Sequence, residues 1–265
     1  MAPGLPAVAD NLRGAVALVT GGGLRLGRGI AIALAAQGSD VVVHFGSSRE
    51  AARQTAAELE ASYGVRSWAL QADLANPQAI DELMAQVATV CQRLDLLVNS
   101  AATFLEAPLA TTDAEDWDRV LAINLRAPHL LIKAGRELLA TTAEKRQTTS
   151  AVVNIADLSG VVTWRDFGAH GVSKAGLLQL TRSAALELAP LIRVNAVVPG
   201  AILPPPGQSV DSASWQAVGE RLPLGRPGQP SDVGQAVAFL ASAPFVTGTL
   251  LFVDGGEQLV GSNKR

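Results

Sequence analysis

Tyrosine is almost missing from this chain: Tyr63 is the only one in 265 residues. No phenol is therefore available for acid–base work anywhere else along the sequence. Cysteine is equally scarce, and a lone Cys91 excludes a disulfide framework and leaves no pair to begin a thiolate metal site. No apolar run reaches the roughly 18 residues a membrane span needs. There is no basic run, and the net charge of −3 argues against nucleic acid and anionic membranes as partners. The start lacks a charged segment followed by an apolar stretch, so a cytoplasmic location is expected. Only the Pro/Ala start (MAPGLPAVADN) and the polar end (GSNKR) read as disordered.

What is present is apolar material: 48% hydrophobic against 17% charged residues, enough for a large core under a modest polar shell. The length fits one domain over residues 1–265. Short apolar runs recur at 15–20, 41–45, 67–70, 94–99, 151–156, 193–198 and 249–254. They are continuous rather than alternating, the pattern of strands covered on both faces. Helix-period segments lie between them at 26–37, 49–62, 77–92, 114–140, 167–189 and 231–241. Thr112 and Glu115 are spaced as a capping box ahead of the fourth helix. The alternation predicts an α/β fold: a Rossmann-type, doubly wound parallel sheet of seven strands with helices on both faces. One long Pro/Gly-rich stretch, 199–228, reads as a substrate loop or lid.

The segment TGGGLRLGRGIAIAL (20–34) places a glycine-rich turn between the first strand and first helix, where backbone N–H groups can receive phosphates. An acidic residue closing the second strand would select NAD. Asp40 lies at the opposite end of that strand, which instead closes on His44, Phe45, Gly46, Ser47, Ser48 and Arg49. Two hydroxyls and a guanidinium suit a 2′-phosphate, and Arg25 in the turn reads as a second contact. Each arginine alone reads equally well as a solvated charge; together they favour NADPH. His44 and His129 sit in apolar runs and read as packed, and no cluster has metal-ligand spacing.

TGGGLRLG, LVNSAA (97–102), VVNIAD (152–157), SKAGLLQLTRSAALELAP (173–190) and VTGTLLFVDGG (246–256) resemble the short-chain dehydrogenases/reductases over nearly the whole chain. Three details resemble the pteridine reductase branch: Arg25 where most members have glycine, Asp157 where most have a catalytic serine, and Phe104 as the aromatic on which a pterin stacks. The resemblance implies that Gly21, Arg25, Leu26 and Gly27 form the phosphate turn, and that Ser47 and Ser48 take the 2′-phosphate. Asp73 and Leu74 would flank the adenine, Asn99, Ser100 and Ala101 the ribose, and Pro199 and Gly200 the nicotinamide amide. Asn124 would hold a helix kink beside Lys174, and Trp215 would stand on the substrate loop. A homotetramer through the helices 114–140 and 167–189 and the last strand is implied as well.

The departure is His170, where the family carries its tyrosine. His170 and Lys174 share a helix face. A nearby ammonium disfavours imidazolium, whereas an Asp157 carboxylate favours it. His170 as an acid and His170 as a space-filler both stand open. The expected activity is an NADPH-dependent reductase delivering hydride to a pterin-like heterocycle, with Asp157, water and His170 managing the proton and Lys174 holding the ribose. The alternatives are an NADPH-binding pseudoenzyme and a carbonyl reductase with His170 as its acid.

Overall fold

The computed structural model describes residues 12–205 and 207–260, so the segments 1–11 and 261–265 that read as disordered lie outside the described residues. Seven strands form one sheet: β1 (Val16–Val19), β2 (Asp40–Phe45), β3 (Ser67–Gln71), β4 (Leu96–Asn99), β5 (Ser150–Ile155), β6 (Ile192–Pro199) and β7 (Leu250–Val253). All pair in parallel, in the order β3-β2-β1-β4-β5-β6-β7. A parallel sheet needs crossovers, and the crossover helices cover both faces, which is why β1, β2, β4, β5 and β6 are buried along their whole length. On one face α1 (Arg25–Ala35), α2 (Arg49–Tyr63) and α8 (Pro230–Ser242) close a core around Ile30, Leu34, Leu59 and Val237. On the other, α3 (Pro77–Cys91) and α5 (Ala127–Arg146) pack Ile80, Leu83, Leu131 and Leu139 against the sheet, with α6 (Gly168–Glu187) beside them.

The segment expected as one helix over 114–140 is three pieces: α4 (Ala114–Leu121), a π-helical turn (Ala122–Arg126) and α5, which runs on to Arg146. π turns interrupt α-helices at functional positions, and Asn124 sits inside this one. The α4 cap is Asp113, whose carboxylate accepts from the Asp116 N–H, one residue later than the Thr112 box predicts. Thr112 instead donates its hydroxyl to the Pro108 carbonyl, because the chain is still turning there. The 199–228 stretch carries its own helix, α7 (Ala213–Gly219), and α9 (Glu257–Val260) follows β7. His129 is exposed on α5 rather than packed. Among the described residues no helix is long and apolar enough to cross a membrane.

Candidate active site

Strand order reverses between β1 and β4, and in an open parallel sheet the crevice beyond those carboxyl ends is where ligands bind. Gly21 opens the turn after β1 at φ +65°, a left-handed conformation that favours glycine, and its α-carbon face lies against Ala101. A side chain at Gly27 would collide with the Gly21 carbonyl, so the turn closes on itself only with glycine there. Thr20, for which no local sequence pattern gives a signal, ties the neighbouring turn down: its hydroxyl accepts from the N–H groups of Ser100 and Ala101 at 2.9 and 3.0 Å. Asn99 donates to Asn154 at 2.8 Å while its own carbonyl oxygen is buried without a partner among the described residues. A buried acceptor left open beside a glycine cradle fits a hydroxyl-bearing group such as a cofactor ribose.

At the end of β2, Ser47 and Arg49 are exposed and Ser48 half-buried, at the N-terminus of α2. The Ser48 hydroxyl makes no capping bond, and the Arg49 guanidinium lies 5.7 Å over the Phe45 ring. Phe45 is buried and serves as the platform for that arginine. His44 is 2% exposed with both ring nitrogens engaged, so it cannot touch a cofactor directly. Asp73 is exposed, with its carboxylate turned back onto the Ala75 N–H. Leu74 is a core residue. Leu26 is half-buried behind the turn. Arg25 is held differently from expectation: its guanidinium donates to the Pro204 carbonyl at 2.6 Å, which ties it to the 199–228 stretch rather than to the end of β2. Pro199 is buried, and Gly200 packs on Asp254 and Glu257.

The chemistry-bearing side chains meet at the ends of β5 and α6. The Lys174 ammonium is buried and donates to the Ile155 carbonyl at 2.8 Å. Burial pushes Lys174 down to about 8, against the pull of the Asp157 charge. Asp157 caps the 3-10 turn Leu158–Gly160, accepting from the Ser159 N–H at 2.6 Å. Burial alone would raise the Asp157 carboxyl; the His170 ring, the Ser159 N–H and the Lys174 charge outweigh it and hold the group below its ordinary value. The His170 Nε2 lies 3.6 Å from Asp157 Oδ2, too far for a hydrogen bond, and has no hydrogen-bond partner among the described residues.

Asn124 organises the other side of the ring. Its oxygen accepts from the Thr103 N–H at 2.7 Å, and its amide donates to the Thr103 carbonyl at 2.9 Å and to Ser173 Oγ at 3.1 Å. Those two acceptors use both amide hydrogens, so the 3.4 Å approach to His170 Nδ1 receives none. Nδ1 instead faces the Thr103 carbonyl at 3.3 Å. Each ring nitrogen thus faces an oxygen that can only accept. Phe104 is 59% exposed and meets the His170 ring edge-on at 4.7 Å, with Phe167 4.9 Å beyond it. Trp215 is 7% exposed and packs with Ala201 and Leu222 inside the lid, so it offers no face to a substrate in this conformation. An open groove of about 910 Å³ runs along α4 and α5 past Asp118, Ile123 and His129, but none of Asp157, His170 and Lys174 lines it.

The enoyl-(acyl carrier protein) reductase family model matches residues 24–258. The chain belongs to the short-chain dehydrogenase/reductase family. Among relatives of this short-chain dehydrogenase/reductase, a 3β-hydroxysteroid dehydrogenase 1 of Eggerthella lenta is 35% identical over 255 residues, 94% of this chain and 96% of the relative. The 3-oxoacyl-(acyl-carrier-protein) reductase FabG of Staphylococcus aureus is 35% identical over 243 residues, 91% of this chain and 96% of its own. Of solved structures, a blue fluorescent protein from a metagenomic library in complex with NADPH matches with a TM-score of 0.82 at 33% identity, covering 93% of this chain and 99% of that one. This short-chain dehydrogenase/reductase is an oxidoreductase.

Proposed function

We propose that the chain is an NADPH-dependent ketone reductase in which His170, standing where the family carries tyrosine, is the proton donor. One observation carries the reading: both His170 nitrogens face acceptors, Thr103 O at 3.3 Å and Asp157 Oδ2 at 3.6 Å. NADPH, when bound, supplies the hydride. Lys174 presents its amine to the ribose, and the Ser47–Arg49 corner receives the 2′-phosphate. Asp157, held as a carboxylate, faces the ring; Nε2, the nitrogen without a hydrogen-bond partner among the described residues, gives its proton to the carbonyl oxygen. Asn124 fixes the ring through Thr103. Phe104 shields the pair from water until a substrate displaces its ring.

The ketone reading takes precedence over the pterin reading because the named relatives are a 3-oxoacyl reductase and a 3β-hydroxysteroid dehydrogenase. A pterin-like heterocycle is the second reading, favoured by the exposed Phe104 ring beside a carboxylate able to accept from paired N–H groups. NADPH oxidation with a 3-oxoacyl thioester, a 3-oxosteroid and dihydrobiopterin, run on the protein and on His170→Phe, separates them. Turnover of a ketone that falls about a hundredfold in His170→Phe supports the first reading. Turnover of dihydrobiopterin alone moves the assignment to the pterin. NADPH binding without turnover of any of the three removes both and leaves a cofactor-binding pseudoenzyme. A cytoplasmic homotetramer completes the proposal: Val172 and Leu186 are exposed on α6 and β7 is a sheet edge. Sedimentation of the 27.4 kDa chain as a monomer would refute that part.

A further inference from the structure

His44 is neither a cofactor contact nor ordinary packing. Its ring is 2% exposed at the end of β2, yet each nitrogen has a specific partner. Nε2 donates to the Ala72 carbonyl at 3.1 Å, since a carbonyl can only accept. That fixes the proton on Nε2 and leaves the Nδ1 lone pair free to accept from the Gly21 N–H, 3.2 Å away. The backbone repeats the tie: Gly22 N–H donates to the His44 carbonyl at 3.0 Å, and Ala72 N–H to the Phe45 carbonyl at 3.1 Å. Burial lowers the imidazole to about 4, with the Ala72 bond opposing the change, so the ring is neutral in the tautomer the two bonds require. One side chain therefore joins the phosphate turn after β1, the end of β2 and the segment after β3.

We propose that His44 is the positioning residue of the cofactor's phosphate turn, its neutral imidazole holding the Gly21 peptide against β2 through Nδ1. Gly21 is the residue at φ +65° from which the turn departs, and Gly27 closes directly over its carbonyl. A Gly21 peptide free to rotate would carry the whole turn with it. An aliphatic side chain would fill the same space and leave that half-buried N–H without the imidazole acceptor, so packing alone does not account for histidine here. The same bonds leave no uncommitted lone pair for a metal, since Nε2 carries the proton and Nδ1 accepts from Gly21.

This inference rests on the chain binding NADPH, and the test keeps the two apart. Asparagine places its amide oxygen near the position of Nδ1 but cannot reach Ala72; glutamine reaches toward Ala72 but not Gly21. The dissociation constant for NADPH is measured by fluorescence, alongside the melting temperature of the cofactor-free protein, for wild type, His44→Asn, His44→Gln and His44→Leu. The expected result is near-wild-type affinity for His44→Asn and about tenfold weaker binding for His44→Gln and His44→Leu, whatever happens to the melting temperatures. Unchanged affinity in all three variants would reduce His44 to a structural residue and overturn the proposal. So would weak binding by His44→Asn together with normal binding by His44→Gln, which would make Ala72 the partner that matters. Should His44→Leu fail to fold, the asparagine–glutamine pair still decides. A wild-type protein that binds neither NADPH nor NADH would overturn the cofactor reading, and this inference with it.

Discussion

The crevice has two walls built on different principles. On the β1–β3 side the turn that would meet a cofactor is held by backbone and neutral side chains: Thr20 and His44 accept from the half-buried N–H groups of Ser100, Ala101 and Gly21. On the β5–α6 side the side chains are titratable and hold one another. Lys174 is buried beside Asp157, Asp157 faces His170, and the His170 Nε2 lacks a hydrogen-bond partner. Neutral hydrogen-bonded positions vary little with pH and resist substitution by shape alone; coupled charges are stabilised only as a set. A binding wall can stay rigid while the reacting wall stores the unfavourable groups that chemistry uses.

Lys174→Met should break this contrast most severely. Turnover is expected to fall by about a thousandfold or more, as for loss of a charged group in contact with cofactor. The same change should stabilise the cofactor-free protein at pH 7. The folded value near 8 lies below the ordinary 10.5, so between those limits the unfolded chain binds more protons and stability rises with pH. Below about 8 the folded protein carries the full penalty. Removing it, less the lost Ile155 bond, should gain on the order of 2 kcal/mol. Denaturant melts of both proteins from pH 6 to pH 10 check it: the gain should shrink as pH rises above 8. A Lys174→Met protein less stable at pH 7 would show that the ammonium is not strained.

Asp157→Asn should act next, lowering turnover about a hundredfold by removing the carboxylate that faces the His170 ring. Its stability signature has the opposite sign. The folded carboxyl lies below its ordinary value of 3.8, so Asp157 stabilises the fold above that value and loses the contribution as pH falls through the folded value. The wild-type advantage over Asp157→Asn should therefore be constant near neutrality and vanish in acid. A smaller change belongs to the binding wall: Arg49→Ala should weaken NADPH about tenfold while leaving NADH unaffected, read by fluorescence titration of each cofactor. Equal losses for both cofactors would remove the 2′-phosphate from this corner.

How much of this was legible in the sequence follows the same division. Continuous apolar runs between helix-period segments gave the seven strands to within two residues, because burial on both faces writes itself into composition. Asp157, His170 and Lys174 were expected together, and they are together. The rest depended on contacts that no local pattern encodes. His44 reads as an apolar-run residue until β3 is placed beside it and Ala72 appears at its ring. Trp215 reads as a loop aromatic until the lid folds its own small core with Leu222. The Asn124 interruption was available only through the family resemblance, since helix periodicity runs straight through 122–126.

Arg25 sits where the two walls meet, and its substitution should produce the smallest effect. It stands at φ +48°, a left-handed conformation that costs a non-glycine residue about 1 kcal/mol. Its guanidinium recovers part of that by donating to the Pro204 carbonyl at 2.6 Å. Glycine relieves the first and forfeits the second, a charge-assisted bond at an exposed site worth about as much. Arg25→Gly should therefore leave stability within about 1 kcal/mol of wild type while freeing the start of the lid. The expected kinetic result is a KM for the ketone about threefold higher with kcat and NADPH affinity unchanged. Steady-state kinetics at saturating NADPH reads the split. A fall in NADPH affinity instead would place Arg25 on the binding wall, with its guanidinium leaving Pro204 for the phosphate when the cofactor arrives.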